Sequence, residues 1–203
     1  MFLNGQKKKH NTTNMSTLSE AIAQFHPRCK KPEDIEPQFA RIALAAMNEG
    51  YFLINGKTRI YPVEIEFYLY GERKDDPEWM KDYNMYHKGK NVPYFPKEGS
   101  IFPHRSGVDF TFENEEEEYR ASFLIRAYKS SPNDTVEKHP TYFWEEMFGE
   151  NTIAGGGLNI VWVDETAPKY HGVTQDTRVN LNRKNAIKDP MPWRFIRNDI
   201  YNQ

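Results

Sequence analysis

The stretch YFLINGKTRIYPVEIEFYLY (51–70) constrains the fold more than any other part of the chain. Asn55-Gly56 stands between two β-rich runs, the signature of a tight hairpin whose central residues need positive φ. Side chains alternate across a strand. In the second run Tyr61, Val63, Ile65, Phe67 and Leu69 therefore share an apolar face, and Glu64, Glu66, Tyr68 and Tyr70 share the other. Pro62 has no amide hydrogen, which predicts an edge or a bulge there. The apolar face needs a covering layer. PEDIEPQFARIALAAMNEG (32–50) provides one, because Ile35, Phe39, Ile42, Ala43, Ala46 and Met47 recur at spacings of three and four. Gly50 is expected to close that helix, and the stripe is expected to pack on Val63, Ile65 and Phe67.

The rest of the pattern is mixed. TLSEAIAQF (17–25) predicts a short helix ended by Pro27, and residues 71–97 read as a long irregular excursion, functional or mobile. VDFTF (108–112) and YRASFLIRAY (119–128) read as paired strands, with Glu115–Glu118 at the turn between them. TYFWEEMFG (141–149) predicts a helix closed by Gly149. LNIVWVDE (158–165), RVNL (178–181) and PWRFIR (192–197) read as strands. Helices and strands without strict alternation predict an α+β fold with a mostly antiparallel sheet. One domain over 17–203 is expected after a flexible N-terminal arm, 1–16, and the polar composition of residues 1–15 predicts that they are dispensable or weakly ordered.

Charge is uneven. Residues 32–177 hold 15 basic and 26 acidic residues, a net −11, while both ends are basic. That argues against tight nonspecific binding to DNA but leaves room for a local basic groove. A single cysteine, Cys29, excludes an internal disulfide framework. No apolar run is long enough to span a bilayer as a helix, and no secretory leader is visible, so a cytoplasmic protein without a membrane partner is expected. No HExxH and no histidine pair at ligand spacing occurs, and the glycines at 155–157 lack the lysine of a phosphate loop, so neither metal nor cofactor is expected.

Glu66 is the leading candidate for chemistry. It lies two residues from Glu64 on one strand face, about 7 Å along the backbone, and hydrolysis at a glycosidic bond needs a fixed carboxylate. Tyr68 and Tyr70 extend that face, which suits a pocket that stacks a planar ring. GSIFPHRSGVD (99–109) brings His104, Arg105 and Asp109 close together beside Gly107. Exposed strand polarity and a self-satisfied loop are the plain alternatives.

Several segments taken in order resemble the alkyladenine (3-methyladenine) DNA glycosylases. RIYPVEIEFYL is similar to that family's RIVETEAYL signature, FARIALAAMNEGYFLINGKTRI to the helix and hairpin before it, KEGSIF to KPGTLY, FLIRAY to VLLRAL, and the closing PWRFI to PWRFY. The resemblance covers about 38–128 and 177–197. It implies a single domain with a curled antiparallel sheet and flanking helices, and hydrolysis of the N-glycosidic bond of a damaged purine flipped out of DNA. It makes Glu66 the residue that activates water, and Tyr68 the ring that stacks on the base. His87, His104 and Arg126 become further substrate contacts. The family's tyrosine-rich strand is FPHRSGVD here, and no tyrosine stands near Ser106. With the acidic middle, this weakens the expectation of duplex DNA as partner. A noncatalytic relative that binds a nucleobase-like ligand or a protein partner is the alternative.

Overall fold

A computed structural model describes residues 17–89, 91–96, 99–133, 135–148, 157–165, 170–181 and 191–199. The N-terminal arm and Gly149 lie outside these residues. Three helices, α1 (Leu18–Ala23), α2 (Glu36–Asn48) and α3 (Tyr142–Phe148), accompany nine described strands. These are β1 (Gly50–Ile54), β2 (Thr58–Gly71), β3 (Ser100–His104), β4 (Gly107–Thr111), β5 (Tyr119–Ser130), β6 (Val136–Glu137), β7 (Ile160–Asp164), β8 (Val173–Asp176) and β9 (Arg194–Arg197). They form one curled antiparallel sheet in the order β3-β4-β5-β2-β1-β7, with β6 on β5 and the β8–β9 hairpin on β2. The chain is a single α+β domain, as expected. No helix among the described residues is long and apolar enough to cross a membrane.

The hairpin forms where its sequence placed it. Asn55 and Gly56 adopt φ of 51° and 70°, and the Lys57 amide donates to the Ile54 carbonyl at 2.9 Å. Helix α2 carries Pro37 in its first turn, where no intrahelical donor is lost. All six residues of its stripe are buried, and Phe39 stacks on Phe67 of β2 at 4.4 Å. All three helices bury side chains in the same cluster as the inner face of the sheet. Each of its large apolar side chains contributes about 1.5–3 kcal/mol by burial.

Three local expectations are corrected. Helix α2 ends at Asn48, with Glu49 as its cap, and Gly50 opens β1 instead of closing the helix. A Cβ on Gly50 would fall 2.1 Å from the Val163 carbonyl oxygen, so the close approach of β7 is what requires glycine. The alternation of β2 breaks at its start: the β2–β5 register shifts between Pro62 and Ile65. Ile60 therefore joins the core, while Tyr61 stays half-buried with its hydroxyl on Glu165. Pro62 sits in the gap between pairing with β1, which ends at Ile60, and pairing with β9, which begins at Glu64. Finally, Arg178–Leu181 (RVNL) is not a strand; the chain runs irregularly there, and β8 lies just before it.

The second face of the sheet is polar and covered. Glu64, Glu66 and Tyr68 of β2, Asp109 and Thr111 of β4, and Arg120 and Ser122 of β5 are all buried. The excursion after β2 lies over this face, and so does the segment around Arg178. The Asp82 amide donates to the Leu69 carbonyl at 3.2 Å, and Arg178 Nη1 donates to the Phe67 carbonyl at 3.1 Å. Asp82 and Arg178 also pair with each other, which joins the two covering segments.

Candidate functional site

Glu66 lies mid-strand on the polar face, opposite Leu124 of β5 and with no solvent exposure. The Tyr68 hydroxyl donates to its Oε1 at 2.6 Å, and the Val179 amide donates to its Oε2 at 3.0 Å. Arg126 Nη1 lies 3.8 Å from Oε1, while Arg126 Nε lies 3.3 Å from Glu64 Oε1. Arg194 pairs with Glu64 at 3.1 Å from the other side. Burial pushes the Glu66 carboxyl above its ordinary range, although the Arg126 charge and the two hydrogen bonds pull it back. Burial and the neighbouring carboxylate hold the Tyr68 phenol well above its usual value, so it remains a donor.

A cavity of about 840 Å³ opens on this face, and Glu66 itself is not among its lining residues. Tyr68, Leu124 and Arg126 come to it from the sheet, Val179, Asn180 and Leu181 from the closing segment, and Tyr83, Tyr86 and Lys88 from the excursion. His104, Arg105 and Ser106 line it from the β3–β4 turn, facing Lys138–Thr141 before α3. Trp144 Nε1 fixes that wall by donating to the His104 and Gly107 carbonyls at 3.0 and 3.1 Å. Lys88, Arg105, Arg126 and Lys138 line the cavity, and none of its described lining residues is acidic. In a segment of net −11 this is a local concentration of positive charge. Lys88 donates to the Tyr83 and Met85 carbonyls at 2.8 and 2.6 Å, and desolvation lowers its pKa.

At the mouth, Tyr86 stacks on His104 at 4.1 Å, and its hydroxyl meets Ser106 Oγ at 2.7 Å and Arg105 Nε at 3.2 Å. Burial alone would raise its phenol, but the Arg105 and Ser106 hydrogen bonds and the Arg105 charge outweigh it and lower the pKa. The Ser106 amide donates to His104 Nδ1 at 3.2 Å, so the ring proton belongs on Nε2, which faces Asp109 Oδ1 at 3.2 Å.

The structure thus gathers Tyr68, His104 and Arg126 at one cavity; Glu66 does not line it and is joined to it through the Tyr68 hydroxyl and Arg126. It places His87 elsewhere. His87 has no exposure and does not line the cavity; its Nε2 lies 3.6 Å from Asp109 Oδ2, and its Nδ1 lies 2.5 Å from Glu113 Oε1, poorly aligned for a hydrogen bond. Through Asp109 it stands behind His104. Glu113 is held in turn by Arg120 Nη1 at 3.1 Å. Glu113, Tyr86, Lys88, Lys138 and Val179 were not singled out from the sequence. For Asp109 and Glu113 a signal existed, since VDFTFE alternates strictly and puts both on the face of Glu66. The remaining four come from irregular segments, where no periodicity exists to read.

A second cavity, of about 790 Å³ and lined by Asn48, Tyr61, His171 and Arg197 among others, contains none of the candidate substrate or catalytic residues. No group of three or more His, Cys, Asp or Glu placed to hold a metal ion occurs among the described residues. No family model, no curated protein and no solved structure matches the chain.

Proposed function

We propose that the chain is a glycosylase-type hydrolase that cleaves the N-glycosidic bond of a damaged purine in DNA, acting in the cytoplasm. The observation that carries this reading is a buried carboxylate, Glu66, bound by the hydroxyl of Tyr68 at the back of a cavity that Tyr68 and four basic side chains line and no described acid does. The ring of Tyr68 stacks on the base, and the exposed cations Arg105 and Lys138 hold flanking phosphates. Glu66 takes a proton from water as its oxygen attacks the anomeric carbon. The carbon–nitrogen bond breaks, and its electron pair leaves with the base. Burial suits this role, because a carboxylate whose pKa is raised is a stronger base.

The test is release of free base from duplex DNA containing hypoxanthine or ethenoadenine, followed by chromatography. We expect release by the wild type and a loss of at least about 100-fold in Glu66→Gln. Equal rates in the two proteins would refute the role of Glu66. One observation favours a second reading, a noncatalytic relative that binds a nucleobase-like ligand: both Glu66 oxygens are already engaged, by Tyr68 and Val179. Calorimetric binding of an adenine-like base with no release from any substrate is the result that supports it.

A further inference from the structure

The rim of the cavity combines charge with exposed rings, and the catalytic reading uses only the charge. Tyr83 and Tyr86 line it and are 40% and 42% exposed, and His139 carries the exposed ring of Tyr142 stacked on it at 4.9 Å. Tyr86 rests on His104, so its ring is held in place before any ligand arrives. Arg105 and Lys138 stand on the rim among these rings, and both are exposed. The segment that carries these cations is nonetheless acidic, since residues 32–177 as a whole carry net −11.

We propose that this rim binds single-stranded DNA, with Arg105 and Lys138 each neutralising a phosphate and Tyr86 and Tyr83 stacking bases that flank the cavity. The choice of DNA rests on the glycosylase reading; the choice of a single strand rests on the rim itself. A tyrosine face can stack only on a base that is unpaired and unstacked. A duplex presents two phosphate strands and needs a broad basic surface, whereas here the cations converge on one mouth within a segment that is acidic as a whole. Two phosphate contacts predict a modest salt dependence, with log K falling against log salt at a slope of about −1.4.

The test is fluorescence anisotropy with a labelled DNA strand of about 12 nucleotides, the same strand annealed to its complement, and an RNA strand of the same sequence, between about 50 and 200 mM salt. Single-stranded DNA is expected to bind more tightly than the duplex. Tyr86→Ala is expected to weaken it about tenfold or more, and Tyr86→Phe, which keeps the ring, to restore it. Arg105→Gln is expected to reduce the slope by about 0.7. Equal or tighter binding of the duplex overturns the proposal, and so does indifference to Tyr86→Ala. Tighter binding of the RNA strand overturns the choice of DNA. Base release from duplex without single-strand binding overturns this inference and leaves the hydrolase; single-strand binding without base release from any substrate does the reverse.

Discussion

Glu66 accepts from a phenol at 2.6 Å and from an amide at 3.0 Å, with a guanidinium 3.8 Å away, and its carboxyl is still displaced upward. The desolvation cost of a fully buried charge therefore exceeds what these partners return. This has a consequence for stability that is separate from catalysis. The folded-state pKa is raised, so the protonated form is the one folding favours. Its contribution is fully present below the unfolded pKa and is lost as pH rises through the raised folded value, above the ordinary 4.5. Glu66→Gln keeps the shape and cannot ionise. Its melting temperature relative to wild type should rise between about pH 4 and pH 8, by about 1.4 kcal/mol of stability for each pH unit that separates the two pKa values. Thermal denaturation across that range measures it, and a difference that falls with pH would contradict the desolvated state of Glu66.

Helix α3 is only 7 residues long, too short to hold by propensity. Its Trp144 donates to two carbonyls of the β3–β4 turn, at His104 and Gly107, and so clamps one wall of the cavity. Trp144→Phe keeps most of the ring and removes the donor. We expect a loss of about 1–2 kcal/mol, read as a lower urea midpoint at unchanged slope. At this scale the sequence was legible wherever a period was clean. The Asn55-Gly56 hairpin follows from its turn residues, and the α2 stripe, β4 and β5 from helical spacing or alternation. Tyr61 and Gly50 were misplaced because a bulge and a neighbouring strand decide them, and neither leaves a local mark. The site was half legible for the same reason. Glu66 and Tyr68 sit on a regular strand, while Val179 and Tyr86 are placed by long-range bonds made in irregular chain.

Over the whole molecule, one buried arginine ties the excursion to the sheet. Arg120 of β5 is 1% exposed. Its Nε donates to Glu72 at 2.5 Å, its Nη1 to Glu113 and the Pro93 carbonyl at 3.1 Å each, and its Nη2 to the Val92 carbonyl at 2.6 Å. The guanidinium also lies 4.1 Å over the Tyr94 ring. The residues it holds flank His87 in the chain, and His87 in turn backs Asp109 and His104, so the geometry of the cavity depends on this anchor. Arg120→Met fills similar volume but leaves Glu113, which has no exposure, without the guanidinium that pairs with it. Breaking a buried pair from one side costs about 3–5 kcal/mol, which for a chain of this size lowers the melting temperature on the order of 10 °C. Trypsin cleavage after Lys81 and Lys88 should accelerate, because the segment loses its attachment before the core melts. Adding Glu113→Gln should recover part of the loss, since the orphaned charge is then gone. A single variant that melts within about 1 kcal/mol of wild type, with the excursion no easier to cleave, would show that the cover over the polar face is held by its other bonds and that Arg120 only fills space.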